Sequence, residues 1–463
     1  MNALSNPAHD HLPDKGLWLT YFGDDFTGST DVLEAFTAAG VNTVLFLQPP
    51  RPEDLARFPG VRCVGVAGQS RGKNPAWMRA NLPEVFERLS SLGAPIVQYK
   101  VCSTFDSSSE VGSIGQAIDL GVQHTRARWS PMVVGAPRLQ RYQVFGHLFA
   151  AAQGDVWRID RHPTMSRHPV TPMHESDLRV HLGQQTARRI GLINLSHMTQ
   201  GQADSVLQGL QGDDQPVVML DVADTLSQRE AGRLVWQQRG EGVFTASSSG
   251  LQYALTEYWR SCGWLAAQPS LPQAKPQECI GVVSGSCSPM SAVQIDWAEQ
   301  HGFMAERLDV TKCLDPLLVE QEIERLVELA INAVARKVSP LIYSARGPDD
   351  PAVLGFEAFV QRASCDKAQA SERIGVALAE VMRRLLDRST LRRIVVAGGD
   401  SSGAVASHLG VKAFTVAAGM APGAPLCRVW SDNPHRDGLE MALKGGQLGA
   451  PSFYGDVRAG RVG

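Results

Sequence analysis

Leu17-Trp18-Leu19-Thr20-Tyr21-Phe22-Gly23-Asp24-Asp25-Phe26-Thr27-Gly28-Ser29-Thr30-Asp31 runs from a short apolar segment through two adjacent carboxylates and a glycine-hydroxyl cluster into Val32-Leu33-Glu34-Ala35-Phe36. The apolar segment reads as a strand, the cluster as a turn and the last five residues as the start of a helix. Thr27, Ser29 or Thr30 would cap that helix, and its N-terminal dipole favours nearby negative charge. A cap needs one oxygen, however. Asp24 and Asp25 bring two carboxylates, which would be solvated or neutralised unless something cationic or hydroxylic lies opposite. The pair is the candidate reaction centre.

Outward from this point the first half alternates short apolar runs with amphipathic stretches. Strands are expected at residues 43–47, 61–67, 96–101, 132–135, 190–194, 216–221 and 242–246, followed by a helix through 253–264. A second set follows at 280–284, 305–310, 340–344, 393–397 and 413–416. Apolar strands spaced by helical patterns predict an α/β protein with largely parallel, helix-flanked sheets. Between the two sets, residues 268–278 carry three prolines without apolar periodicity and read as a linker. The expectation is two domains, 1–267 and 279–463, with the active site in the cleft between them.

Composition narrows the function. With 44 Lys+Arg against 47 Asp+Glu and a formal charge of -3, the chain has no basic field for nucleic acid, so its partners should be small molecules. Its 8 cysteines are scattered without a CxxC pair and read as reduced thiols. Met1 to Lys15 lacks an apolar core, and no stretch reaches the roughly 18 apolar residues of a membrane span, so a cytoplasmic protein is expected, without membrane partners.

In the second half the strands end in small polar residues. Ser284-Gly285-Ser286-Cys287-Ser288 follows one, and Gly398-Gly399-Asp400-Ser401-Ser402-Gly403 follows another before the helix Ala404–Leu409. Glycines at such turns let backbone N–H groups approach phosphate, and the helix N-terminus adds positive potential. Two such loops suggest a nucleotide, although neither a Walker A nor a GxGxxG fingerprint occurs. Lys444-Gly445-Gly446 is a third glycine turn, whose lysine faces either phosphate or solvent. Gly399-Asp400-Ser401-Ser402-Gly403 also fits a nucleophile elbow, with Asp432 and His435 following in order, so a serine hydrolase is a rival reading. The three-residue spacing of Asp432 and His435 suits it poorly.

In the first half, Arg71 and Lys100 follow two strands, with Asp106 and Ser107 just beyond. Because open α/β sheets bind ligands at the carboxyl ends of their strands, Asp24, Asp25, Arg71, Lys100 and Asp106 should converge on a polyhydroxylated anion. Arg71 would offer a fork to its carboxylate and Lys100 a point charge. His162, His168 and His174 recur six residues apart among prolines, a spacing that fits no zinc motif, so hydrogen bonding to substrate or structure is the better reading. His147 is a further candidate to face substrate.

These motifs together resemble the four-carbon acid sugar kinase family: Asp24-Asp25-Phe26-Thr27-Gly28, Lys100 to Ser108, His168-Pro169-Val170-Thr171-Pro172-Met173, Val283 to Ser288 and Gly398 to Gly403, in order along nearly the whole chain. The resemblance implies an N-terminal acid-sugar domain, a C-terminal nucleotide-binding domain, and phosphorylation of a terminal hydroxyl with ATP and Mg2+ as cofactors. By motif position Asp24, Asp25, Arg71, Lys100 and Asp106 would serve the substrate. Ser286, Gly398, Gly399, Ser402, Gly403, Gly445 and Gly446 would serve the nucleotide, beside Ser284, Ser288 and Asp400 from the loop reading. No protein residue is assigned to a metal.

The loop Lys100-Val101-Cys102-Ser103-Thr104-Phe105-Asp106-Ser107-Ser108 departs from threonate-type members, which tend to have an acid where Cys102 stands and an arginine where Asp106 stands. It resembles members acting on 3-oxo acids, such as 3-oxo-tetronate or the branched 3-oxo-isoapionate, with threonate or erythronate as the alternative. A catalytically silent sugar-acid or nucleotide sensor could keep the same two domains, but the intact aspartate pair speaks against it. Sequence leaves the stereochemistry, the phosphorylated carbon and the oligomeric state open, a homodimer included.

Overall fold

In the computed structural model, which describes residues 11–152, 154–168, 170–266 and 271–462, Leu19–Gly23 is a fully buried strand, β1. It leads into the helix Phe26–Ala38, whose apolar Phe26, Val32, Leu33 and Phe36 face the core. The Asp25 carboxylate, rather than a hydroxyl, caps that helix by accepting from the Gly28 N–H. Its far end closes with the Val41 N–H on the Phe36 carbonyl at 2.9 Å.

The chain divides into two compact units, Met1–Pro269 and Ser270–Gly463. The first continues with β2 (Thr43–Phe46), β3 (Cys63–Val66), β4 (Ile96–Lys100), β5 (Ser130–Met132), β6 (Arg141–Val144), β7 (His147–Ala152), β8 (Asp155–Arg158), β9 (Ile190–Ile193), β10 (Val217–Leu220) and β11 (Val243–Ser247). Its main sheet runs β11-β4-β1-β3-β2, all parallel. From β1 the chain departs towards the β2 edge, and from β4 it ends on the β11 edge. The crevice between β1 and β4 is therefore the switch point at which such sheets bind ligands. The register sets Gly23 opposite Lys100 there. Beneath lies a core that includes Phe22, Phe86, Tyr99 and Phe244.

Two smaller sheets complete this unit, the parallel β5-β10-β9 and the antiparallel β6-β7-β8. Sequence periodicity missed the second, because its strands are half-exposed and its β6–β7 turn is Phe145-Gly146, with φ of 52° and 84°. A two-residue turn of this kind normally calls for Asn-Gly. Here the buried Asp221 holds it from outside, accepting from the Phe145 and Gly146 N–H groups at 2.5 and 3.0 Å.

The second unit holds β12 (Gly281–Ser284), β13 (Phe303–Arg307), β14 (Ser339–Tyr343), β15 (Arg393–Ala397), β16 (Val411–Ala421), β17 (Ala424–Ser431) and β18 (Glu440–Lys444). Strands β18-β15-β12-β14-β13 are parallel, with the antiparallel β16–β17 hairpin beside β18. β13 sits two residues before its expected place, because Asp309 caps the short helix Val310–Cys313 and turns the chain out of strand. Only residues 413–416 were expected as strand in the hairpin, whose remaining length is broken up in sequence by Gly419, Pro422, Gly423 and Pro425. Residues 268–270 of the expected linker lie outside the described residues. Leu271 onward is irregular and is tied to the second unit through Gln277 N–H on the Arg458 carbonyl at 2.8 Å.

Candidate active site

Asp24 and Asp25 stand at the carboxyl end of β1 and meet Arg71 from the loop after β3. Arg71 Nε and Nη2 clamp Asp24 at 3.0 and 2.8 Å, and Nη2 reaches Asp25 Oδ1 at 2.7 Å. The backbone fixes this geometry, with the Arg71 N–H on the Asp24 carbonyl and the Asp24 N–H on the Lys100 carbonyl, both at 2.9 Å. The fork that the sequence reading gave to a substrate carboxylate is thus filled by Asp24.

The two carboxylates are not equivalent. Asp24 is 4% exposed, and its burial pushes the carboxyl above the usual range, with Asp25 adding to the push against the pull of Arg71. Burial also disfavours the Asp25 charge, but Arg71, Lys100, the Thr27 hydroxyl at 2.8 Å and the Gly28 N–H at 2.9 Å together outweigh it and hold that carboxyl below the usual range. Asp25 is the ionised, more accessible member, at 21% side-chain exposure against 5%.

Lys100, at the end of β4, is 2% exposed and lies 3.9 Å from Asp31, a third carboxylate one and a half turns into the first helix. Asp31 Oδ1 is buried with no hydrogen-bond partner among the described residues. In sequence Asp31 stands six residues after Asp25, but no local pattern there assigns it a role. In the next loop Thr104 donates to Asp106 at 2.6 Å and contacts Cys102 at 2.9 Å. Burial and the Asp106 charge push the Cys102 thiol up to about 11, so this position is neutral.

The remaining substrate candidates are bonded to other protein groups. Ser107 is buried among His181 (3.1 Å), Gln185 (2.9 Å) and the Phe105 carbonyl, a network that holds the loop. His147 opens β7 and bonds Ser176 at 2.9 Å. His168 Nδ1 accepts from the Thr171 N–H at 3.1 Å. Among the described residues no group of three or more His, Cys, Asp or Glu side chains could hold a metal ion.

In the second unit the three glycine turns follow neighbouring strands, β12, β15 and β18. The Gly398 N–H donates to the Lys444 carbonyl at 2.9 Å, and Gly398 has φ of 115°, which glycine alone adopts freely. It opens the helix Gly399–His408 without a side-chain cap, leaving first-turn N–H groups for an anion. Ser402 bonds the Gly398 carbonyl at 2.7 Å, and Asp400 is exposed on the same turn. Ser284 ends β12 fully buried, with Gly403 buried in the helix. Ser286 and Ser291 share a hydroxyl bond at 2.9 Å, and Ser288 donates to the Gly446 carbonyl at 2.6 Å.

Gly446 packs against these hydroxyls, since a Cβ there would lie 2.3 Å from Ser286 Oγ. Gly446→Ala is therefore expected to displace the Ser286 hydroxyl and lower stability by about 1–3 kcal/mol, measured by urea unfolding. Lys444, next to Gly445, is fully buried, and its Nζ bonds the Gly446 carbonyl at 3.3 Å. No carboxylate pairs with it among the described residues, and burial lowers its ammonium pKa to about 8. The rival triad is not assembled: Asp432 pairs with Lys412 at 3.4 Å, and no hydrogen bond joins Ser401 to His435 among the described residues.

Comparison with known proteins bears on both units. Residues 19–255 match a sugar-binding N-terminal domain, and residues 282–454 a nucleotide-binding C-terminal domain. The chain is 61% identical over 461 residues to a 3-oxo-isoapionate kinase of Paraburkholderia graminis, covering 100% of this chain and 97% of that one. It is 30% identical over 449 residues to a 3-oxo-tetronate kinase of Pectobacterium atrosepticum, covering 94% and 97%. A solved structure from Salmonella typhimurium LT2, described as a putative tRNA synthase, superposes with a TM-score of 0.76 at 25% identity, covering 95% and 98%. A Haemophilus influenzae protein shares the fold with a TM-score of 0.70 at 22% identity, covering 95% and 99%. No helix among the described residues is long and apolar enough to cross a membrane.

Proposed function

The chain belongs to the four-carbon acid sugar kinase family and is an acid sugar kinase, and from that premise we propose that it transfers the γ-phosphoryl group of ATP to a terminal hydroxyl of 3-oxo-isoapionate. The observation that carries the substrate choice is the 61% identity across the whole chain to the kinase of that name, against 30% to a tetronate kinase. The neutral Cys102 and acidic Asp106 of the Lys100 loop support a pocket unlike that of threonate-type members.

The residues divide the chemistry between the two units. Asp25, ionised and accessible, accepts a hydrogen bond from the substrate hydroxyl and takes its proton as the new O–P bond forms and the bond to the β-phosphate bridging oxygen breaks. A weakly basic carboxylate suffices, because in a loose phosphoryl-transfer transition state the proton leaves late. Asp24 and Arg71 hold each other and keep Asp25 in place, while Lys100 supplies positive charge at the hydroxyl end. On the nucleotide side the first-turn amides of Gly399–His408 and the turns at Gly398 and Gly446 cradle phosphate oxygens.

Asp400, exposed on the first turn of the helix Gly399–His408, is a carboxylate that would suit Mg2+, which takes one or two carboxylates beside phosphate oxygens. When bound with ATP, the ion offsets charge on the phosphates. Lys444 adds a charge that depends on pH. As a cation it is lost when pH rises through about 8, so the KM for ATP is expected to climb above that pH. Lys444→Met should raise this KM at neutral pH and flatten its pH dependence, as steady-state assays from pH 6 to 9 would read.

The proposal is tested by incubating the protein with ATP and 3-oxo-isoapionate and identifying the product by 31P NMR. A phosphomonoester on a terminal carbon, formed together with ADP, is expected. ATP hydrolysis without a phosphorylated acid would contradict it.

A further inference from the structure

Arg141 opens β6, and its Nη1 donates to the carbonyls of Leu139 and Gln140 at 3.0 and 3.1 Å. Its Nε is buried with no hydrogen-bond partner, and no carboxylate pairs with its guanidinium among the described residues. The Nε–Nη2 edge is the one an arginine presents side-on to a carboxylate. Arg71 uses it on Asp24, Arg158 on Asp160 and Arg179 on Asp177. On Arg141 this edge has no protein acceptor among the described residues. A buried donor left unmatched costs free energy, and burial holds this guanidinium below the ordinary arginine value, with only Cys102 acting in its favour.

Cys102 also feels the charges of Arg71 and Lys100, which places Arg141 in the same electrostatic neighbourhood from the hairpin side. The other cations there are committed. Arg71 is shared between two aspartates, Lys100 faces Asp31, and Arg138 lies over the Tyr253 ring at 5.9 Å. We propose that Arg141 is the carboxylate anchor of the substrate, gripping the acid end side-on while the terminal hydroxyl lies at Asp25. The inference rests on the acid sugar reading above and adds to it the residue that distinguishes an acid from a neutral sugar.

The test compares wild type, Arg141→Ala and Arg141→Lys on 3-oxo-isoapionate and on its uncharged carboxamide, with ATP varied separately. Arg141→Ala is expected to raise the KM for the acid about 10- to 100-fold, to leave the KM for ATP unchanged, and to remove most of the preference for acid over carboxamide. Added guanidinium should restore part of the loss. Arg141→Lys keeps a charge without the fork and should recover only part of the preference. If Arg141→Ala still shows the wild-type thermal shift with ATP and keeps the full preference, the inference is overturned. If Arg141→Ala does not fold, an unchanged KM for the acid in Arg141→Lys overturns it equally. A wild type that phosphorylates neither compound would instead overturn the kinase-substrate reading on which the inference stands.

Discussion

Asp25→Asn is expected to lower kcat by about 10²- to 10⁴-fold with little change in the KM for ATP, the usual range for loss of a positioned proton acceptor. The substitution keeps the size of the side chain, and its remaining oxygen can still cap the helix Phe26–Ala38 through the Gly28 N–H. What it removes is the negative charge proposed to face the substrate hydroxyl. The pH profile separates Asp25 from Asp24. A base must be deprotonated, so activity falls as pH drops through its pKa. Asp25 is held below the ordinary carboxylate value of about 4, so kcat/KM should stay flat down to that pH. Asp24 lies above its ordinary value, and if it were the base, the acid limb would appear above about 4. An acid limb in that higher range, together with a nearly active Asp25→Asn, would reverse the assignment.

Arg71→Met has the second large effect, on stability as well as activity. Asp24 is 4% exposed and both its oxygens rest on this arginine. Removing one partner of a buried pair leaves an uncompensated charge, which typically costs about 3–5 kcal/mol. The Arg71 side chain is 27% exposed, so solvent screening brings the expected loss to about 2–4 kcal/mol, measured by urea unfolding at pH 7. Asp24 then rises further above its unfolded value. A group raised in the folded state gives stability that is present at low pH and lost as pH climbs through the folded pKa. The variant should therefore regain stability as pH is lowered from 7 towards the acid range, while wild type should not gain to the same extent. The double variant Asp24→Asn/Arg71→Met should recover much of the loss, because the unpaired charge is gone. A single variant as stable as wild type at pH 7 would mean that the pair carries no such energy.

Much of this could be read from sequence where chemistry and periodicity coincide. The strand before Asp24, the strands ending at Val66, Lys100 and Ala397, and the glycine turns at Gly285, Gly398 and Gly446 all follow apolar runs in parallel, helix-covered sheets, the pattern easiest to recognise. Parallel strands also carry their loops to one end, so Asp24, Asp25, Arg71 and Lys100 could be grouped before any coordinates. What escaped depends on contacts distant in sequence. Arg141 sits on a half-exposed strand whose turn is held by Asp221, about 75 residues away, as the hydrogen bond to Gly146 records. Its significance is the acceptor it lacks, which no local pattern encodes. That the Arg71 fork is spent on Asp24 likewise follows from the geometry after β3, since sequence shows only that an arginine is there. Lys444 was visible beside its glycines, but its complete burial was not, and burial is what makes its charge sensitive to pH.

The most direct measurement is the ratio of kcat/KM for 3-oxo-isoapionate to that for 3-oxo-tetronate and for threonate, with ADP release coupled to a reporter and a no-acid control. The account predicts ATP-dependent turnover of all that is accepted, with 3-oxo-isoapionate favoured by at least about tenfold, a difference of about 1.4 kcal/mol in transition-state binding. Equal or greater efficiency with 3-oxo-tetronate or threonate would contradict the substrate assignment. No ADP release above the control with any of the three would contradict the account as a whole.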